Sequence, residues 1–136
     1  MGVQVVWDNP EKTIILMTVA GHWEWEEFKA AVNTCNEMIE SVPYHVHFIL
    51  DRQGGHWTPG NFSDNTGDII SMFTPNDGYR VIVGENPLTK ERFYNYGTLN
   101  GGAGFKFRYM NSVEDARAFL GGQPVTLKSN NPPPTT

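Results

Sequence analysis

Cysteine is nearly absent. Cys35 stands alone among 136 residues, which excludes an internal disulfide and a cysteine-based metal cluster. Charge is also sparse, at 18% of residues, and nowhere do Lys and Arg gather into a run. Ten basic residues against fifteen acidic ones give a formal net charge of −5. That balance repels phosphate backbones and anionic membranes, so a nucleic-acid module is disfavoured. No stretch approaches the roughly 20 apolar residues of a membrane span. Met1 to Trp7 lacks the basic region and long apolar run of a signal peptide, so a cytoplasmic location is expected. No solenoid-type repeat is visible.

What the chain does hold is a regular rhythm of strand and helix signals. Val3 to Trp7 is β-rich, Asp8-Asn9-Pro10-Glu11 supplies turn chemistry, and Thr13 to Val19 is a second β-branched run. So short a connection predicts an antiparallel hairpin. The second run is almost wholly apolar, which predicts a strand covered on both faces. Trp25, Phe28, Val32, Cys35, Ile39 and Val42 recur at steps of three and four, the stripe of an amphipathic helix that Pro43 stops. Glu24, Glu26 and Glu27 crowd its first turn, where carboxylates meet the positive end of the helix dipole. Cys35 lies on the apolar stripe and reads as a small hydrophobe.

Val46 to Leu50 predicts a buried strand ending at Asp51 and Arg52, followed by a glycine-rich loop from Gln53 to Asn61. A short helix is expected over 64–73, a strand over Tyr79 to Val83, and a helix capped by Asn86 with Pro87 at its first position. Gly101 to Gly104 breaks the chain before a strand over Phe105 to Met110. Ser112-Val113-Glu114-Asp115 then opens a last helix. The sum is an α/β fold: a mixed, mostly parallel sheet of about five strands, with an N-terminal hairpin and about four helices. One domain is expected over residues 1–121, and 122–136 reads as a proline-rich flexible tail with too little apolar area to offset its ordering entropy. In such sheets function gathers at the carboxyl ends of the strands.

The order of elements resembles the STAS-like group with the SpoIIAA-type fold, closest to its uncharacterised bacterial members. Gly21 and Trp23 before the long helix, Asp51 closing a strand, and Val113-Glu114-Asp115-Ala116 opening a late helix carry the likeness, which spans Val3 to Leu120. The resemblance implies a non-catalytic regulatory or protein-interaction domain whose partner is a regulatory kinase or an anti-sigma factor. Such antagonists carry their phosphoacceptor in an Asp-Ser-Ser-Gly turn. Here Asp64-Asn65-Thr66-Gly67 stands at that place and makes Thr66 the matching hydroxyl, with Thr for Ser and a longer preceding loop. A phosphate there would meet a helix N-terminus. Capping of that helix by Asp64 or Thr66 is the alternative use of the same residues.

Other chemistries find less support. His45, His47 and Asp51 alternate along one strand, but His45 and Asp51 would lie about 20 Å apart at ~3.3 Å per residue. Only His45 with His47, or Asp51 with His56, reach one ion, and two ligands do not make a metal enzyme. No Gly-x-Ser-x-Gly elbow exists, and the Gly101 to Gly104 run lacks the Lys-Ser/Thr ending of a P-loop. Trp57, set among glycines and prolines, is either an interface anchor or a lid on the local core. The sequence therefore predicts no catalysis and no cofactor. It predicts a partner-binding rim built from His22, Trp23, Asp51, His56, Trp57 and Asn86, with Thr66 as the candidate phosphoacceptor, in a chain compatible with dimerisation. A small apolar-ligand or lipid-binding protein is the first alternative, and a metal-assisted enzyme the second.

Overall fold

Alternation of exposed and half-buried residues makes Val3–Trp7 a strand, β1, and Ile14–Ala20 returns antiparallel beside it as β2. The computed structural model describes residues 2–54, 76, 78–84 and 107–128. Asn9 shapes the connecting turn: its Oδ1 accepts from the amides of Thr13 at 3.0 Å and Ile14 at 3.2 Å. Its Nδ2 donates to Thr13 Oγ1 at 2.6 Å, so one side chain satisfies the backbone that the turn leaves open.

Helix α1, Trp25–Glu40, follows and leads to β3, His47–Gly54. Strands β4, Arg80–Val83, and β5, Phe107–Met110, come next, and helix α2, Val113–Gly121, comes last. The sheet runs β1-β2-β3-β4-β5, antiparallel only between the first two strands. The predicted hairpin and mixed, mostly parallel sheet are thus observed. Of about four expected helices, two fall among the described residues; those expected over 64–73 and from Asn86 to Leu99 lie outside them. β3 continues to Gly54, beyond the expected end at Asp51 and Arg52, because parallel pairing with β2 is renewed at Ala20 and Gly54 after a register shift.

Successive residues of a strand face opposite sides, and both sides are covered. Ile15, Met17, Val19, Phe48 and Leu50 pack beneath α1 with Phe28, Val32, Cys35 and Ile39. Ile14, Ile49, Val81 and Val83 pack against Ala116 and Leu120 of α2 on the other face. This accounts for the near-continuous apolar character of β2. Cys35 is fully buried, and burial pushes its thiol up to about 12. Its expected role as a small hydrophobe fits that setting.

The amino ends of β3 and β4 are fastened by Asn76, which accepts from the Val46 amide at 2.9 Å and donates to the Val46 carbonyl at 2.7 Å. Gly78 passes so close that a Cβ would overlap that same carbonyl oxygen. The stretch after α2 departs from the expected loose tail at least as far as Lys128. Thr126 accepts from the His45 amide at 2.9 Å, Lys128 donates to the Pro43 carbonyl at 3.0 Å, and Leu127 bridges to Tyr44. Lys128 Nζ also reaches the Ile39 carbonyl at 2.6 Å, completing a helix end that has no basic residue of its own.

Candidate interaction rim at the carboxyl ends of the strands

Four chain segments meet where β2, β3, β4 and β5 end. The Gly21 amide donates to the Gly54 carbonyl at 2.8 Å, joining the exits of β2 and β3. Gln53 reaches across β4 and donates from Nε2 to the Asn111 carbonyl at 3.2 Å, which ties β3 to the β5–α2 turn. Gly84 makes that reach feasible: it sits at φ +84°, and a Cβ there would lie 2.9 Å from the Gln53 amide.

Both helices begin at this rim. Glu27 holds the start of α1 by accepting from the Glu24 amide at 3.0 Å through one carboxylate oxygen and from the Gly2 amide at 3.1 Å through the other. These two bonds hold its carboxyl below the usual carboxylate range. At the second helix, Ser112 Oγ accepts from the Asp115 amide at 3.0 Å, the expected cap.

Among the residues expected at the rim, His22 is exposed on the β2–α1 connection, its Nε2 3.1 Å from Glu24 Oε2. Asp51 is half-buried on the α2 face, between Thr18 and Val83 in register. Its Oδ1 accepts from the Gln53 amide at 3.0 Å. Trp23 corrects the expectation, because it is fully buried and packs on Phe28 with ring centroids 5.6 Å apart. It floors the rim and presents no surface. Trp25, which the helical spacing places in the core, is only half-buried and stacks on Phe28 from outside. His56, Trp57, Thr66 and Asn86 lie outside the described residues.

Sequence reasoning missed Gln53, Asn111 and Arg117. Arg117 forms two parallel bonds to Asp8, at 2.7 and 2.8 Å. The guanidinium is held above its ordinary range chiefly by that bond, with the charges of Glu114 and Asp51 adding to it. No spacing rule predicts the pair, whose members are 109 positions apart. At the opposite end of the strands, His45 and His47 line one small cleft of about 100 Å³ with Tyr79 and Gln123. His47 Nδ1 accepts from the Tyr79 amide at 3.1 Å, which removes that nitrogen as a metal ligand. Among the described residues no three His, Cys, Asp or Glu side chains gather into a metal site, and no helix is long and apolar enough to cross a membrane.

No family model matches the chain, and no curated protein does. Solved structures do. The anti-sigma factor antagonist SpoIIAA in its unphosphorylated form superposes with a TM-score of 0.60 at 11% identity, over 89% of this chain and 99% of that one. An anti-sigma factor antagonist from Mycobacterium paratuberculosis gives 0.54 at 11% identity, over 88% and 94%. The order of strands, the hairpin and the two covered faces are thus those of a SpoIIAA-like α/β fold.

Proposed function

We propose that this chain is a non-catalytic regulatory domain that docks a protein partner, an anti-sigma factor or a related kinase, through the rim at the carboxyl ends of β2 to β5. One observation carries the reading: a fold shared with two anti-sigma factor antagonists, in which the strand exits are tied into one surface by Gly21–Gly54 and Gln53–Asn111. His22 and Asp51 supply polar contacts on it, and His56, Trp57 and Asn86 are the further partner-binding residues of this reading. Trp23 supports this surface from beneath. Thr66 is the modifiable hydroxyl, and a phosphate on it would add up to about two negative charges to a chain whose formal net charge is already −5.

Isothermal titration against a purified anti-sigma factor with kinase activity tests the reading. Binding is expected, weakened about tenfold or more in His22→Ala/Asp51→Ala. ATP-dependent phosphorylation is expected in the wild type and absent from Thr66→Ala. Absence of binding, together with a co-purified lipid in native mass spectrometry, would replace this reading with the small apolar-ligand one.

A further inference from the structure

The outer edge of the sheet is built for pairing. Among the described residues β1 ends the sheet. Its register to β2 places Gly2 opposite Ala20 and Asp8 opposite Ile14, and Ala20 donates to Gly2 while Asp8 donates to Ile14, both at 2.8 Å. In an antiparallel ladder bonded pairs alternate, so Gln4 and Val6 direct their amides and carbonyls toward β2. Val3, Val5 and Trp7 therefore direct theirs away from it. Natural edge strands are usually blunted by Lys, Pro or a bulge. Val3–Trp7 has none of these: its sequence is VQVVW, and its register to β2 is unbroken.

We infer that this edge binds a second copy of the chain, β1 against β1, antiparallel about a twofold axis at Val5. The outward-facing set is self-complementary. Val5 meets its own copy, and Val3 meets Trp7 twice, a small β-branched residue beside a large aromatic one, which is a favourable cross-strand pairing. Each bonded pair exchanges two hydrogen bonds, about six in all.

Electrostatics selects the same edge. At a formal net charge of −5, two copies repel on average, which favours contact through an uncharged edge. Here β1 carries no charge, neighbouring Asp8 is neutralised by Arg117, and Glu27 is held by two backbone amides. On the α1 face an open groove of about 340 Å³ runs beside the strand, lined by Val3, Val5, Ala30, Ala31 and Thr34, with Glu27, its carboxylate bonded to two backbone amides, as the one charged member. The small side chains of Ala30, Ala31 and Thr34 on that flank let the two α1 helices approach across the axis. Antiparallel pairing also turns the two carboxyl-end rims in opposite directions, so a dimer keeps both open.

Sedimentation equilibrium of the full chain between 1 and 100 μM is expected to show a monomer–dimer equilibrium. Gln4 and Val6 are exposed, Val6 at 52%, and each lies opposite the other across the axis. Gln4→Lys/Val6→Lys sets lysines directly against each other and is expected to weaken dimerisation at least tenfold. Gln4→Glu/Val6→Lys sets opposite charges there and restores it. Hydrogen exchange gives a second measure: the amides of Val3, Val5 and Trp7 gain protection with concentration, while those of Gln4 and Val6 are protected throughout. A wild type that stays monomeric at 100 μM overturns the inference, as does a dimer indifferent to the lysine pair. Concentration-independent protection of Val3, Val5 and Trp7 also overturns it, since the edge would then belong to another segment of the same chain. None of these outcomes touches the rim, which the titration above tests separately.

Discussion

Arg117 on the last helix grips Asp8 in the first turn through both carboxylate oxygens, at 2.7 and 2.8 Å. The arrangement is lopsided. The Asp8 side chain is only 6% exposed, whereas that of Arg117 is half exposed. An exposed pair contributes little, but removing the cation here strands an anion that water barely reaches. Arg117→Ala is therefore expected to cost about 1–3 kcal/mol in urea unfolding. Asp8→Asn, which keeps a hydrogen-bonding oxygen, costs less. Arg117→Lys recovers only part, because an ammonium cannot make the two-pronged contact.

Trp23 separates core from surface. Fully buried beside Phe28, its replacement by Ala should cost about 3–5 kcal/mol, and Trp23→Phe appreciably less. Denaturant titration followed by far-UV circular dichroism checks this. Near-unchanged stability in Trp23→Ala would return the residue to the surface role that its position in the sequence suggests.

At Gly78 any side chain overlaps the Val46 carbonyl oxygen. Gly78→Ala has no low-cost escape, because the obstacle is backbone that Asn76 already fastens. A loss of about 2–4 kcal/mol, or failure to accumulate folded protein, is expected. Gly121→Ala, with open space around its position, serves as the control and should be neutral or slightly stabilising.

Cys35 predicts an alkaline signature. Its thiol is raised from 9.0 to about 12 in the folded chain. The unfolded chain thus loses this proton first. The thiol's contribution is intact below pH 9.0 and declines as pH rises from there toward 12. Stability measured between pH 8 and 10.5 should fall less steeply in Cys35→Ala, which itself costs about 1 kcal/mol from the small cavity. Labelling by a thiol reagent at pH 8 should proceed at the rate of unfolding.

Much of this architecture is legible in the residues. The alternation in Val3–Trp7, the three-and-four spacing from Trp25, and Ser112 three positions before Asp115 each specify an element because the local pattern and the tertiary setting agree. Where they disagree, the sequence misleads. The tryptophans show it. Helical spacing points Trp25 inward, yet a residue in the first turn lies at the margin of the packed face. Trp23, just outside the helix, is the one directed under it. Likewise Gln53 and Gly54 look like the start of a glycine-rich loop, although pairing with β2 carries the strand through to Gly54. The docking of Thr126–Lys128 rests mostly on backbone groups, and its one side-chain bond, from Lys128 Nζ to the Ile39 carbonyl, joins positions 89 apart that no local pattern links. At the rim, local signals place His22 and Asp51, whereas Gln53–Asn111 is a contact between segments 58 positions apart.

Lys128 has a consequence for how the molecule is made. The helix it completes lies 89 positions earlier, at Ile39. During synthesis that helix emerges with only Ser41 capping its negative pole, and without a cation there until residue 128 has cleared the ribosome. Final consolidation of the first helix is thereby deferred until residue 128 has emerged, and a ribosome stalled before that point would hold a looser, more protease-sensitive nascent chain.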